Sequence, residues 1–242
     1  NEKVTDILIR RVPLTALVSI LTTLFVWLVA VPIGIYTATH QYSLADYFWT
    51  FFSFIGIATP SFLLALIFIW IAFKWFGISA IGLQSPEFEG APLSLALIID
   101  MLKHIWVPVV IIGMGSTAGL MRTMRSMMLD ELNRQYVITA RSKGLSEVRL
   151  LFKYPVRTAL NPVISTIGWM LPSIISGEVL VSMVLNIPTT GPVLLKALLN
   201  QDMFLAGSII FILSILTVLG TLISDILLVW LDPRIRYEGV PQ

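Results

Sequence analysis

Five apolar stretches divide the chain, at about residues 14–38, 47–73, 104–121, 161–185 and 207–231. A helix needs about 20 apolar residues to cross a hydrocarbon layer, with a range of about 17 to 25, so each stretch predicts a membrane span. The first is free of charge, and Pro32 and Gly34 in its later part predict a kink. The second carries Thr59-Pro60-Ser61 in its middle. The carbonyls freed there need a hydroxyl or a neighbouring helix. In the third, Gly113, Gly115 and Gly119 give a small-residue spacing that lets helices approach closely. The fourth has Pro162 near its start and Pro172 inside. Between spans, residues 40–46 form a short loop. Residues 74–103 form a longer, weakly polar connection with a short interfacial helix expected at about 93–102, and 186–206 reads as a loop.

The longest polar interruption is residues 134–162, RQYVITARSKGLSEVRLLFKYPVRTALNP. It sets Arg134, Arg141, Lys143, Arg149, Lys153 and Arg157 against a single acid, Glu147. Tyr136, Val137, Ala140, Val148, Leu151 and Phe152 recur at helical spacing. Gly144 lacks the Cβ that resists a left-handed conformation and is suited to end the first helix. Ser146 is placed to cap the second, with Glu147 in its first turn against the helix dipole. The pattern predicts helix, glycine turn, short helix.

Composition restricts the class. Of 242 residues, 57% are hydrophobic and 12% charged, with a mean hydropathy of +0.88. A soluble domain carries about 25% charged residues; this chain is therefore read as an all-α, polytopic helical membrane protein forming one domain over residues 1–242. Without cysteine, disulfide and thiol chemistry are excluded. Charge placement sets the orientation. The basic loop and tail hold Arg122, Arg125, Arg134, Arg141, Lys143, Arg149, Lys153, Arg157, Arg234 and Arg236; the other side receives Lys3, Arg10, Arg11, Lys74, Lys103 and Lys196. By the positive-inside rule the loop and C-terminus are cytoplasmic and Asn1 is external.

Few residues suggest site chemistry. Glu178 falls about 17 residues, or about 25 Å, along the fourth span. An acid there needs a partner or water. It reads either as a pathway or gate residue, together with Pro60 and Ser61, or as a solvated interfacial acid. Asp225, near the inner end of the fifth span, reads as a pairing or snorkelling acid. His40 and His104 fall on opposite sides and cannot share a metal. Ser116 has no histidine facing it within the bilayer and there is no pair of mid-span aspartates, which argues against an intramembrane protease. Met121, Met124, Met127 and Met128 read as a flexible packing surface. No catalytic or metal site is expected, nor is a nucleic-acid partner; the lipid bilayer is.

The loop motif Tyr136, Thr139-Ala140-Arg141-Ser142-Lys143-Gly144-Leu145-Ser146-Glu147 and Asn161-Pro162 resembles the coupling loop of ABC-importer permeases, most nearly those for dipeptides, oligopeptides and nickel chelates. Pro32-Ile33-Gly34-Ile35, Asp46 with Thr59-Pro60-Ser61-Phe62, and Leu231-Asp232-Pro233-Arg234-Ile235-Arg236-Tyr237 resemble other motifs of that family. Departures include Gln135 for the usual Asp, Pro155 within the second coupling helix, Ser182 and Thr189 for Glu and Gly, and Glu178 for a small residue. The resemblance implies the type I importer transmembrane fold and a further span before residue 1. Tyr136, Ala140, Arg141, Lys143, Gly144, Leu145, Ser146 and Glu147 would couple to cytoplasmic ATP-binding subunits, with Val137, Ala140 and Leu145 packing into their groove. The implied partners also include a second, homologous permease and an external solute-binding protein. ATP and Mg²⁺ would be bound by the ATPase, since this chain has no G-x-x-x-x-G-K-[ST] loop. Transport would proceed by alternating access. The alternative is an ATP-independent channel or secondary carrier, which the basic loop and lack of evident inverted repeats disfavour.

Overall fold

Backbone amides cannot be left unpaired in hydrocarbon, so a spanning chain satisfies them within helices. A computed structural model of the chain describes residues 3–77, 81–88, 94–166 and 179–231, and these residues contain helices and no strand. In order they are α1 (Val4–Thr39), α2 (Leu44–Ala58), α3 (Ser61–Phe76), α4 (Leu95–Leu132), α5 (Gln135–Ser142), α6 (Glu147–Lys153), α7 (Pro155–Ser165), α8 (Thr190–Leu199) and α9 (Met203–Leu231), with a short helical run at 179–184.

Three of these, α1, α4 and α9, are long and apolar enough to cross a membrane, or four spans result if the pair α2 and α3 counts as one. The fourth expected span, residues 161–185, includes residues 167–178, which lie outside the described residues, as do Pro172, Glu178 and the motif from Asp232 to Tyr237. Exposed Phe48, Phe51, Trp70, Phe211, Val218 and Trp230 suit a lipid surround; in water such a surface would drive association.

The boundaries differ from the sequence expectation in instructive ways. α1 starts at Val4, earlier than the expected span, and runs through Pro32 to Thr39. The second stretch is broken into two helices at Thr59–Pro60, with Pro60 as the N-cap of α3. The helix expected at about 93–102 is the first part of α4, which continues through Pro108. Its sequence between Leu95 and Val107 has no glycine or proline to stop it. His104 therefore lies well inside a helix rather than at the start of one. The segment 186–206, expected as a loop, contains α8. α7 begins at Pro155 rather than Asn161, because proline at the first helical position brings the right φ and loses only an amide that would be unpaired anyway.

The chain divides into two compact units. The first comprises residues 1–25, 59–114 and 171–216. There Thr15 of α1 fastens the start of α8. Its hydroxyl donates to the Arg11 carbonyl at 3.0 Å and accepts the Thr190 N–H at 2.9 Å, with the Thr190 hydroxyl 3.0 Å away. Thr189, at the N-cap of α8, makes no side-chain cap bond, so Thr15 satisfies a helix-start amide from a distant part of the chain. The segment before α4 is held by Asp100, which accepts the Ser85 N–H at 2.6 Å and its hydroxyl at 2.7 Å. The Gly82 N–H donates to Leu185 at 2.7 Å.

The second unit comprises residues 26–58, 115–170 and 217–242. α1 and α4 are in tight contact there at Gly34. A Cβ on Gly34 would lie 2.7 Å from the Met124 Cβ and 2.9 Å from the Met121 carbonyl oxygen. Met121, Met124 and Met128 are buried, as a flexible packing surface requires. Gly115 faces the Gly56 carbonyl of α2, whereas Gly119 faces open space. The Ser224 hydroxyl of α9 donates to the Ile164 carbonyl of α7 at 2.9 Å.

Candidate functional site

The polar interruption folds as two short helices about a glycine turn. α4 ends at Leu132 and α5 begins at Gln135. Glu131 organises this junction: its carboxylate accepts the Tyr136 hydroxyl and lies 3.8 Å from Arg134, which is the N-cap of α5. Partial burial and the Glu131 carboxylate both push the Tyr136 hydroxyl above its ordinary pKa. α5 stops at Ser142, and Gly144 turns the chain with φ +79°, its N–H donating to Arg141 at 3.0 Å. That φ is the left-handed region glycine enters without a steric cost. Lys143 lies in the turn and is exposed.

Ser146 occupies the N-cap of α6 with extended backbone, and its carbonyl accepts the Leu150 N–H at 2.9 Å. Its hydroxyl makes no cap bond, contrary to expectation. Glu147 lies in the first turn of α6 and instead reaches back to α5. Its carboxylate accepts Arg141 Nε at 2.7 Å and Nη2 at 3.1 Å. Hydrogen bonding to Arg141 holds the Glu147 carboxyl below its usual range, and the same contact raises Arg141. α6 ends at Lys153. Tyr154 precedes a proline and adopts φ −119°, ψ −80°, and α7 starts at Pro155.

The turn has its own small core. Val137, Ala140 and Leu150 are buried, with Leu145 and Tyr154 packed against them. Val137 and Ala140, expected to pack into a partner's groove, are turned into this core, because two helices this short need them to hold each other; Leu145 is half-buried beside them. The apolar side chains left exposed are Tyr136, Ile138, Val148 and Phe152. Among them run exposed Arg141, Lys143 and Glu147. The result is two short helices packed on each other, with a basic, partly apolar exposed face.

Sequence reasoning missed a second feature of this unit. Asp46, in the first turn of α2, accepts both Nε (3.1 Å) and Nη2 (2.9 Å) of Arg125 on α4. It also accepts the Tyr42 N–H at 3.1 Å and the Thr50 hydroxyl at 3.4 Å, while its own N–H donates to Ser43 Oγ at 3.1 Å. The Ser43-x-x-Asp46 spacing is a capping-box signal that could have been read. The pairing with Arg125, across 79 residues, could not.

The other expected site residues are elsewhere. Pro60 and Ser61 belong to the first unit. Pro60 is exposed and Ser61 half-buried; the Pro60 carbonyl accepts Leu63 and Leu64 amides, without any side-chain cap at the break. Glu178 lies outside the described residues. Asp225 is exposed on α9 and has no ion-pair partner among the described residues.

Residues 30–237 match the family described as binding-protein-dependent transport system inner membrane component. The chain is 36% identical over 237 residues to the oligopeptide transport system permease protein AppB of Bacillus subtilis, covering 97% of this chain and 72% of that protein. It is 30% identical to the oligopeptide transport system permease protein OppB of Haemophilus influenzae, over 98% and 73%. It is 31% identical to the inner membrane ABC transporter permease protein YejB of Escherichia coli O157:H7, over 94% and 63%. A helical, multi-pass membrane chain with this match over most of its length belongs to the family of binding-protein-dependent transport system inner membrane components, permease subunits with the type I ABC-importer transmembrane fold.

Proposed function

We propose that this permease carries peptides or similar small solutes inward by alternating access, driven by ATP hydrolysis on separate cytoplasmic subunits. The helix–glycine turn–helix projection at 135–153 is the observation that carries the reading. Its buried core makes it rigid and its exposed face mixes cations with apolar side chains. A handle that moves with an ATPase has to be stiff, because a flexible loop would absorb the displacement. The proposed contact set is Tyr136, Arg141, Lys143 and Glu147, with Ala140, Gly144, Leu145 and Ser146 shaping the turn. ATP and Mg²⁺ would bind to the ATPase, and a second permease and an external binding protein would complete the assembly. The loop and C-terminus would face the cytoplasm, as their excess of Lys and Arg favours. Peptide as the cargo is supported by the names of the relatives. Glu178, Pro60 and Ser61 remain the proposed pathway or gate residues. Glu178→Gln should change uptake kinetics while leaving assembly with the ATPase intact.

The deciding experiment is purification of the complex through a tag on this chain, followed by mass spectrometry and by uptake of a labelled tripeptide into liposomes. Recovery of an ATP-binding subunit and a second permease, with uptake that needs ATP, supports the proposal. Recovery of this chain alone, exchanging solute without ATP, would mean a channel or carrier.

A further inference from the structure

We infer that the Asp46–Arg125 ion pair is the link through which displacement of the coupling helices reaches α2. This rests on the coupling reading above and names residues that reading does not use.

The geometry is continuous within the second unit. Glu131 holds α5 through Tyr136 and Arg134. From Glu131 back to Arg125, α4 is uninterrupted helix. Arg125 grips Asp46 with two parallel hydrogen bonds at 3.1 and 2.9 Å. That fork geometry fixes direction as well as distance. Asp46 in turn is fastened to the turn before α2 by Tyr42 and Ser43, and to the next turn of α2 by Thr50. A pull on α5 therefore has a stiff path into α2, whose far end leads into the Thr59–Pro60 break.

Burial explains why the contact would transmit movement instead of slipping. The Asp46 side chain is 6% exposed and that of Arg125 28%. Separating them would leave a carboxylate in a poorly solvated place, which costs far more than parting an exposed pair. One residue away on α4, Met124 lies against Gly34 of α1 with no room for a Cβ. Movement of this part of α4 thus engages α1 by packing and α2 by charge. Asp46 and Arg125 are positioning residues and touch no substrate.

The test uses the whole reconstituted complex and reads uptake per ATP hydrolysed. Asp46→Asn keeps the size and loses the charge. Arg125→Lys keeps the charge and loses the fork. Both are expected to retain substrate-stimulated ATPase while uptake per ATP falls about fivefold or more, the lower end of usual site–site coupling. Partial recovery of the ratio is expected in the charge-exchanged double variant, Asp46→Arg with Arg125→Asp. A wild-type ratio in Asp46→Asn, or in Arg125→Lys should Asp46→Asn not assemble, overturns the inference. So does loss of ATPase and uptake in equal proportion, the mark of a merely structural contact. A wild-type complex that moves solute without ATP overturns the coupling reading itself, and this inference with it.

Discussion

Arg141 and Glu147 clasp each other across the Gly144 turn, Nε to Oε1 at 2.7 Å and Nη2 to Oε2 at 3.1 Å. Both side chains are about half exposed, at 49% and 59%, so water screens the attraction and its share of folding stability is small. Its pH dependence has a definite sign. The folded Glu147 carboxyl titrates below its ordinary range because of Arg141. The stabilisation is therefore present in full above the unfolded pKa of about 4.3 and is lost only as pH falls through the lower folded value. Thermal unfolding of Glu147→Gln in detergent should differ from wild type by a small offset that stays constant from about pH 8 to about pH 5. An offset that changes between about pH 8 and pH 6 would mean that another group controls the turn.

Gly144 supplies conformation rather than room. A Cβ there would meet nothing within 4 Å, yet φ is +79°. A left-handed conformation costs an ordinary residue about 1–2 kcal/mol, enough to change the population of the turn by about 5- to 30-fold. Gly144→Val should reach the membrane at wild-type level but lose uptake per ATP, because a β-branched residue resists this φ. Asn tolerates it, so Gly144→Asn should keep most of the coupling. Equal ratios of uptake to ATPase in wild type and Gly144→Val would remove the turn from the mechanism.

The contrast between Gly144 and Asp46 shows what could be read from sequence. Gly144 sits between two apolar-periodic segments, and local chemistry alone placed both helices of the turn. Membrane class was equally legible, since it depends on composition. Three things were not local. Val137 and Ala140 were expected on a docking surface, but whether a short helix turns its apolar side outward depends on Leu150 in the helix that follows. Asp46 and Arg125 are 79 residues apart and meet only through tertiary packing. α8 was hidden because Thr190-Gly191-Pro192 looks like a loop; its start is completed by Thr15, 175 residues earlier.

Gly34 has the opposite requirement from Gly144. Its backbone is helical, and the limit is space: a Cβ would lie 2.7 Å from the Met124 Cβ and 2.9 Å from the Met121 carbonyl oxygen. The second of these is backbone and cannot swing aside. Gly34→Ala should destabilise the protein by about 1–3 kcal/mol, as overpacking does. Met124→Ala should not rescue it, since alanine keeps the clashing Cβ and the Met121 carbonyl remains. Unfolding temperatures of the single and double variants in detergent check both statements. Full rescue by Met124→Ala would mean that the methionine's outer atoms, rather than its Cβ, set the distance between α1 and α4.

Thr15 tests whether α8 depends on its distant cap. The Thr15 hydroxyl has one proton and two acceptor positions, and all three are used if it donates to Arg11 and accepts the N–H and hydroxyl of Thr190. Thr15 is fully buried, so no water waits to take its place. Thr15→Val keeps the shape but strands the Thr190 amide and hydroxyl, at a cost of about 1–3 kcal/mol. Thr15→Ser keeps the hydroxyl and should lose much less, chiefly the packing of one methyl group. The measurement is unfolding temperature, together with hydrogen exchange at the Thr190 amide. Faster exchange there in Thr15→Val but not in Thr15→Ser is the expected result. If the two variants behave alike, α8 is held by its packing on the 179–184 run, where Gly191 would place a Cβ 3.0 Å from Val179 Cα, and the hydroxyl is incidental.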